Sequence, residues 1–400
     1  MRILITSPVF PPDLGGPAVY VPSVGRFLVE RGHDVRVIAF CSDPAPEGYP
    51  FPVQAITRGP LPVRYLKAFW AVFKAAGKVD VVYVQEHLAL LHVLAARLRF
   101  RPVVIRIMVD GSWEIAHRKG WCGDDNIVQF QGKSYGWKVG LARFLQKRWW
   151  GMTSRIICCS EFLRGILVDS YGVDAEKAVT VLNAYHGPRA ADVPQTRAEA
   201  RAELGLPATA GDGPGDGDGS ERRYVLSICR LMGWKRVDGI IRGVAHLEDP
   251  SVHLLVAGDG DMEDEWRRLS VELGLEKRVH FLGNVPHSKI PMYIRAADVF
   301  VLNSEYEGLS HTLLEVQALG TPMIASGVCG NPEVVEDGVN GLLVDPDRPD
   351  ELAAALGKIL NDPELGQRFV QAGFARGASF DRETTFSRVE ELLKGASRRS

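Results

Sequence analysis

The sequence predicts an α/β protein made of two Rossmann-like, doubly wound halves, and three observations carry that prediction. Short runs rich in Val, Ile and Leu recur between residues 3 and 159 and again between 224 and 325, separated by stretches with helical spacing of apolar residues. Each half therefore reads as successive βαβ units around a parallel sheet. Between the halves, residues 209–220 are dominated by Gly and Asp and bury no apolar surface, so they read as a flexible insertion. A chain of 400 residues, 46% hydrophobic and 24% charged, is long enough for two cores.

The elements follow in order. Residues 3–6 form the first short β run, residues 20–31 carry Val21, Val24, Phe27 and Leu28 at helical spacing, Gly32 suits the helix C-terminus, and residues 35–39 form the next strand. Residues 79–84, 103–109 and 156–159 continue the first series. The second series is 224–229, 252–257, 279–282, 299–302 and 322–325, followed by a helix at 351–360. We place the first domain at 1–183, the second at 184–379, and a last helix at about 380–396, its clearest part at 382–393.

Composition removes several classes of function. A net charge of −2 gives no global field for nucleic acid. The six cysteines (Cys41, Cys122, Cys158, Cys159, Cys229 and Cys329) show no C-x2-C pair and no zinc spacing, and read as thiols in a reducing compartment. The N-terminal apolar run is too short for a signal peptide and no run approaches a membrane span, so a cytoplasmic location is expected, with peripheral membrane contact left open. Asp345-Pro-Asp347 and Asp216-Gly-Asp218 match D-x-D in poor contexts, so no metal and no cofactor is assigned.

The densest chemistry lies at residues 303–315, where Glu307, followed by Gly308, and Glu315 are separated by seven residues. In one helix they would stand ~12 Å apart along the axis, too far to converge on one atom. A strand at 299–302, a polar loop at 304–310 and a helix from 312 to 319 fit better, with Glu307 on the loop and Glu315 one turn into the helix. Free amides near Ser310, His311 and Thr312 then offer a phosphate site. Gly15 and Gly16, after the first strand, could form an amide nest for an anion or simply a turn. That loop lacks G-x-G-x-x-G, which argues against a nicotinamide or flavin enzyme.

The 303–315 stretch resembles the E-x7-E signature of retaining glycosyltransferases of family 4, with the two-domain GT-B fold, and the resemblance continues through Gly283-Asn-Val285, Ala297-Asp298 and residues 330–345. It implies that the halves face each other across a cleft and that a nucleotide-diphosphate sugar is the donor. It also implies that Glu315 holds the ribose hydroxyls and that Glu307 lies beside the transferred sugar as the catalytic carboxylate. Cys229-Arg-Leu-Met-Gly-Trp-Lys235 resembles the family's G-R-L-x-x-x-K stretch, which gives Arg230 and Lys235 the diphosphate and leaves Cys229 in place of a glycine. The same resemblance puts Gly15 and Gly16 against the donor, makes Val285 a base contact, reads Gly258-Asp-Gly260 as a structural turn, and places the crossing between domains near 183–187. For retention, front-face attack is the usual proposal, the leaving phosphate itself taking the acceptor proton.

The chain departs from the family after residues 103–109, where Met108-Val-Asp-Gly-Ser-Trp-Glu114 lacks the usual histidine. Asp110 is the candidate substitute, either as a sugar or acceptor contact or as a helix cap. For the acceptor, residues 97–155 hold twelve basic residues against four acids, interleaved with Trp113, Trp121, Phe130, Tyr135, Trp137, Phe144, Trp149 and Trp150. These could stack on sugars or settle at a bilayer surface; alternatively the tryptophans are core and the bases a solvated face. A sugar, glycolipid or lipid-linked acceptor is expected. A nucleotide-sugar epimerase or hydrolase of the same fold, or a non-catalytic binding subunit, is the alternative.

Overall fold

A computed structural model describes residues 1–13, 15–57, 59–85, 89–123, 125–185, 187–193, 196–207 and 221–398. The insertion expected at 209–220, with its D-x-D match, lies outside the described residues. The chain divides into two compact units, residues 1–182 with 383–400, and residues 183–382.

In the first unit the described strands are β1 (Arg2–Ser7), β2 (Asp34–Phe40), β3 (Val53–Ile56), β4 (Val81–Val84), β5 (Val103–Ile107), β6 (Arg155–Cys158) and β7 (Ala178–Thr180). They form one parallel sheet in the order β3-β2-β1-β4-β5-β6-β7, with Ile3 paired to Val35 on one side and Val81 on the other. The central strands are buried on both faces, as continuous Val/Ile runs require. The last helix, Arg382–Arg398, packs on this unit: Phe386 is fully buried, edge-on to Tyr20 and Phe27, and Val389 and Leu393 are buried with it. Each such side chain contributes about 1.5–3 kcal/mol. His33 Nε2 meets Glu390 Oε1 at 2.8 Å, and Arg31 pairs with Glu383, securing the same contact.

The second unit holds β8 (Arg223–Ile228), β9 (Val252–Ala257), β10 (Val279–Gly283), β11 (Val299–Leu302), β12 (Met323–Ser326) and β13 (Leu342–Val344). Its sheet is also parallel, in the order β10-β9-β8-β11-β12-β13. The core gathers Val225, Leu254, Val256, Val299 and Ile324 from the strands with Ile240, Trp266, Leu356 and Phe369 from the helices. Strand order reverses between β8 and β11, and the loops leaving their carboxyl ends are where an open α/β sheet binds ligands. The short strands β3, β7 and β13 are absent from the sequence reading. Runs of three or four residues at or near a sheet edge carry too few apolar positions to stand out.

Candidate functional site

Two loops meet at the reversal point of the second sheet. The chain leaving β8 runs through Cys229 and Arg230 into a single 3-10 turn, Gly233–Lys235, and then into the helix Val237–His246. The chain leaving β11 runs through 303–310 into the helix His311–Leu319. Glu305 N donates to Trp234 O at 2.8 Å, so the two loops are joined through their backbones. Asn303, almost fully buried, donates to Arg236 O and Pro346 O. Arg236, left-handed at φ 47°, pairs with Glu305 (2.7 Å) and Asp347 (2.5 Å) and lies 3.4 Å from Asp238, so its charge is spent on holding the loops.

Arg230 and Lys235 stand differently. Arg230 is exposed and has no ion pair among the described residues. Lys235 Nζ lies 2.5 Å from Glu307 Oε1, and Ser304 Oγ donates to the same oxygen at 2.9 Å. Both side chains of that ion pair are mostly shielded, yet each reaches solvent. An incoming anion can therefore recruit Lys235 from Glu307 without unfolding anything.

Glu315 sits in the second turn of its helix, with Ser310 as N-cap accepting from Leu313 N at 3.3 Å and Gly320 as the left-handed terminus. The amides of His311 and Thr312 lie in the first turn of the helix. Glu315 is 8% exposed, and its carboxylate has no hydrogen-bond donor among the described residues. Burial alone pushes its carboxyl from 4.5 up to about 7. A buried carboxylate without donors is matched to a ligand that brings its own hydroxyl hydrogens.

Glycines let the neighbouring loops come close. Gly258 has φ 136°, and a Cβ there would lie 1.9 Å from Cys229 O; Gly258 N donates to Gly283 O, tying the ends of β9 and β10 to that of β8. Val285 follows this junction and is half-buried. A Cβ at Gly330 would fall 2.1 Å from Gly308 O, and Gly330 N donates to Glu307 O at 3.0 Å, so the turn after β12 lies on the Glu307 loop. Cys229 is not among the positive-φ residues, which explains why a side chain is accommodated where the family has glycine.

Thus the loops and helices leaving β8 and β11 carry Arg230, Lys235, Glu307, Ser310, His311, Thr312 and Glu315 at adjacent strand ends, with Lys235 and Glu307 in contact and Val285 two strands along the same sheet edge. Sequence reasoning missed Ser304, Gly330 and Asn183, whose amide donates to Leu309 O at 2.9 Å; a serine, a glycine and an asparagine carry no spacing signal that could have marked them. Gly15 and Gly16 belong to the first unit, at the N-terminus of the helix Gly16–Glu30, where a Cβ on Gly16 would meet nothing within 4 Å. Among the described residues no group of three or more His, Cys, Asp or Glu is arranged to hold a metal.

Two alternatives that the sequence left open are narrowed. Asp110 is fully buried as the N-cap of the helix Gly111–Arg118: Oδ1 accepts from Ser112 N (2.9 Å), Trp113 N (3.4 Å) and Gln146 Nε2 (2.7 Å), and Oδ2 from Gln131 Nε2 (2.8 Å) and Tyr171 OH (2.7 Å). A carboxylate with five donors and no solvent contact is structural, and the catalytic reading of Asp110 falls. Likewise Trp113, Phe130, Trp149 and Trp150 are core, which leaves Trp137 and Phe144 as the exposed large aromatics of residues 97–155 apart from Phe100.

Comparison with known proteins agrees with this geometry. Residues 216–376 match the family model described as glycosyl transferases group 1, and residues 15–184 match the glycosyl transferase 4-like domain. An uncharacterized glycosyltransferase of Methanocaldococcus jannaschii is 25% identical over 385 residues, covering 90% of each chain. The D-inositol 3-phosphate glycosyltransferase of Streptomyces griseus subsp. griseus is 33% identical over 219 residues, 52% of this chain and 44% of that relative. The structure of Anabaena HepE in complex with UDP superposes with a TM-score of 0.76 at 21% identity, over 99% of this chain and all of that one, a likeness of fold.

Proposed function

This chain belongs to the group 1 glycosyl transferases and has the GT-B fold, and from that premise we propose that it moves a sugar from a nucleotide-diphosphate sugar to a sugar, glycolipid or lipid-linked acceptor, with retention and without a resident metal, in polysaccharide or glycoconjugate synthesis. One observation carries the reading: at the β8/β11 reversal point an exposed arginine, a displaceable lysine, a helix N-terminus and a buried carboxylate without donors share one edge of the sheet. The UDP in the Anabaena neighbour supports a nucleotide donor. Six unbridged cysteines support a cytoplasmic setting.

In this reading the diphosphate lies against the amides of His311 and Thr312 and between Arg230 and Lys235. Charge that develops on the leaving oxygen as the glycosidic bond breaks is stabilised by these fixed donors. Glu315 accepts from the two ribose hydroxyls, and Gly15 and Gly16 let backbone amides approach the donor. Glu307, released from Lys235, faces the positive charge on the sugar, and Val285 contacts the base. The acceptor proton passes to the departing phosphate oxygen, so the balance closes with no further base.

A thermal-shift panel of UDP, GDP, dTDP, CMP and NAD, with and without EDTA, tests the proposal. A nucleoside diphosphate that raises the melting temperature equally with EDTA present is expected, because a ligand that binds only the folded state stabilises it. A shift from NAD alone, or one abolished by EDTA, overturns the metal-free reading; the anomer formed on the acceptor, read by NMR, decides retention.

A further inference from the structure

We propose that Asn183 is a positioning residue for the donor diphosphate, because it sets which way the peptide between Leu309 and Ser310 faces; the inference rests on the proposed nucleotide-sugar donor. Asn183 is fully buried, and its Nδ2 donates to Leu309 O at 2.9 Å across 126 residues of chain. Among the described residues nothing else donates to that oxygen. Both residues belong to the second unit.

A peptide unit is planar and trans, so its C=O and N–H point in opposite directions. With Leu309 O turned onto Asn183, the N–H of Ser310 is turned away from it. The preceding carbonyl of the loop is held in the same manner: Gly330 N donates to Glu307 O at 3.0 Å, which turns the N–H of Gly308 away from Gly330. Neither the Ser310 nor the Gly308 amide has an acceptor among the described residues, although Ser310 is only 3% exposed and Gly308 is buried. A shielded N–H without an acceptor costs about as much as a lost hydrogen bond until a ligand supplies the oxygen. Ser310 is also the N-cap of the helix His311–Leu319, so its amide stands at the positive end of that helix.

The loop has a second way to run. Rotation about ψ of Leu309 and φ of Ser310 turns the peptide plane over while the flanking Cα atoms stay nearly in place. That would set Leu309 O, the negative end of the peptide dipole, where the Ser310 N–H now stands, and an arriving diphosphate would meet an acceptor instead of a donor. The bond from Asn183 opposes this turn, since it is lost when the carbonyl swings away. A bond that served the fold alone would weaken every ligand of the site alike when removed. One that orients the Ser310 amide weakens the diphosphate and spares the nucleoside, whose proposed partners are Glu315 and Val285.

The experiment compares the full chain with Asn183→Asp, which keeps the side-chain shape but sets an acceptor against Leu309 O, and with Asn183→Ala. Calorimetry with UDP or GDP, whichever binds, is set against binding of its nucleoside measured by NMR. In both variants affinity for the diphosphate should fall about 10- to 100-fold while affinity for the nucleoside holds within about twofold. A second readout needs no change at Asn183: in the parent protein with isotope-labelled serine, the Ser310 amide proton, identified by its loss in Ser310→Thr, should move downfield with the diphosphate and stay in place with the nucleoside. Equal losses for diphosphate and nucleoside, undiminished diphosphate affinity in both variants, or a Ser310 amide indifferent to the diphosphate overturns this inference and leaves the proposed activity standing. A parent protein that binds neither diphosphate overturns both.

Discussion

Nucleotide-sugar binding should depend on the protonation of Glu315. In the ligand-free protein burial holds this carboxyl at about 7 against an ordinary 4.5, so the folded chain binds more protons than the unfolded one between those values. Stability is then greatest below 4.5 and falls by about 3 kcal/mol as the pH rises through 7. In the proposed reading binding runs the other way, because only the ionised carboxylate would accept from both ribose hydroxyls. With a carboxyl at about 7, some 3% is ionised near pH 5.5 and about 90% near pH 8, so affinity should rise about 30-fold over that range, roughly 2 kcal/mol. Tyr185, coupled to Glu315 and pushed up by burial, stays neutral throughout. Glu315→Gln is the control for any other group that titrates in the same interval. The assay is calorimetric titration with UDP-glucose or GDP-mannose, whichever binds, since neither sugar-capped diphosphate titrates in this interval. Run in two buffers near pH 6, it should show about 0.9 proton released per ligand bound. Glu315→Gln should bind about 10- to 100-fold more weakly near pH 8, lose the proton release, and melt higher than the parent without ligand. Wild-type affinity that is flat with pH, or a Glu315→Gln variant with the same slope, refutes the reasoning.

Three further outcomes are expected. Glu307→Gln removes the partner of Lys235 and, in the proposed reading, the negative charge beside the sugar, so transfer should fall at least about a hundredfold while calorimetry shows donor binding unchanged or tighter; loss of binding with activity kept would contradict the assignment. Asp110→Ala removes the shared acceptor of five donors, of which Ser112 N keeps Gln146 Oε1, and should cost about 3–5 kcal/mol by denaturant unfolding. A near-neutral unfolding result with a large fall in kcat would restore its catalytic reading. Gly258→Ala sets a methyl against Cys229 O in a left-handed backbone, so a loss of about 1–3 kcal/mol is expected, with weakened nucleotide affinity because the Arg230 loop moves with it.

The alternation of β-branched runs with helical stretches was legible because its cause is local: central parallel strands are apolar on both faces and helices on one, and the two periods differ. The same locality gave Glu307 to a loop and Glu315 to a helix, since Gly308 breaks any continuous helix and Ser310 caps the one that follows. What a side chain touches across the sheet has no such signature. Asp110 reads equally as a ligand contact or a cap until Gln131, Gln146 and Tyr171, up to sixty-one residues away, close around it. Arg236 and Lys235 are neighbours of like charge, yet one is spent on Glu305, Asp347 and Asp238 while the other is held by a single displaceable partner. Sequence by itself determined the order of the central strands, their division into two parallel sheets and the residues that follow β8 and β11. Tertiary structure alone decided which carboxylate is left without donors, which tryptophans face water and which cation is free to move, because burial and pairing depend on segments that meet only when the sheet closes.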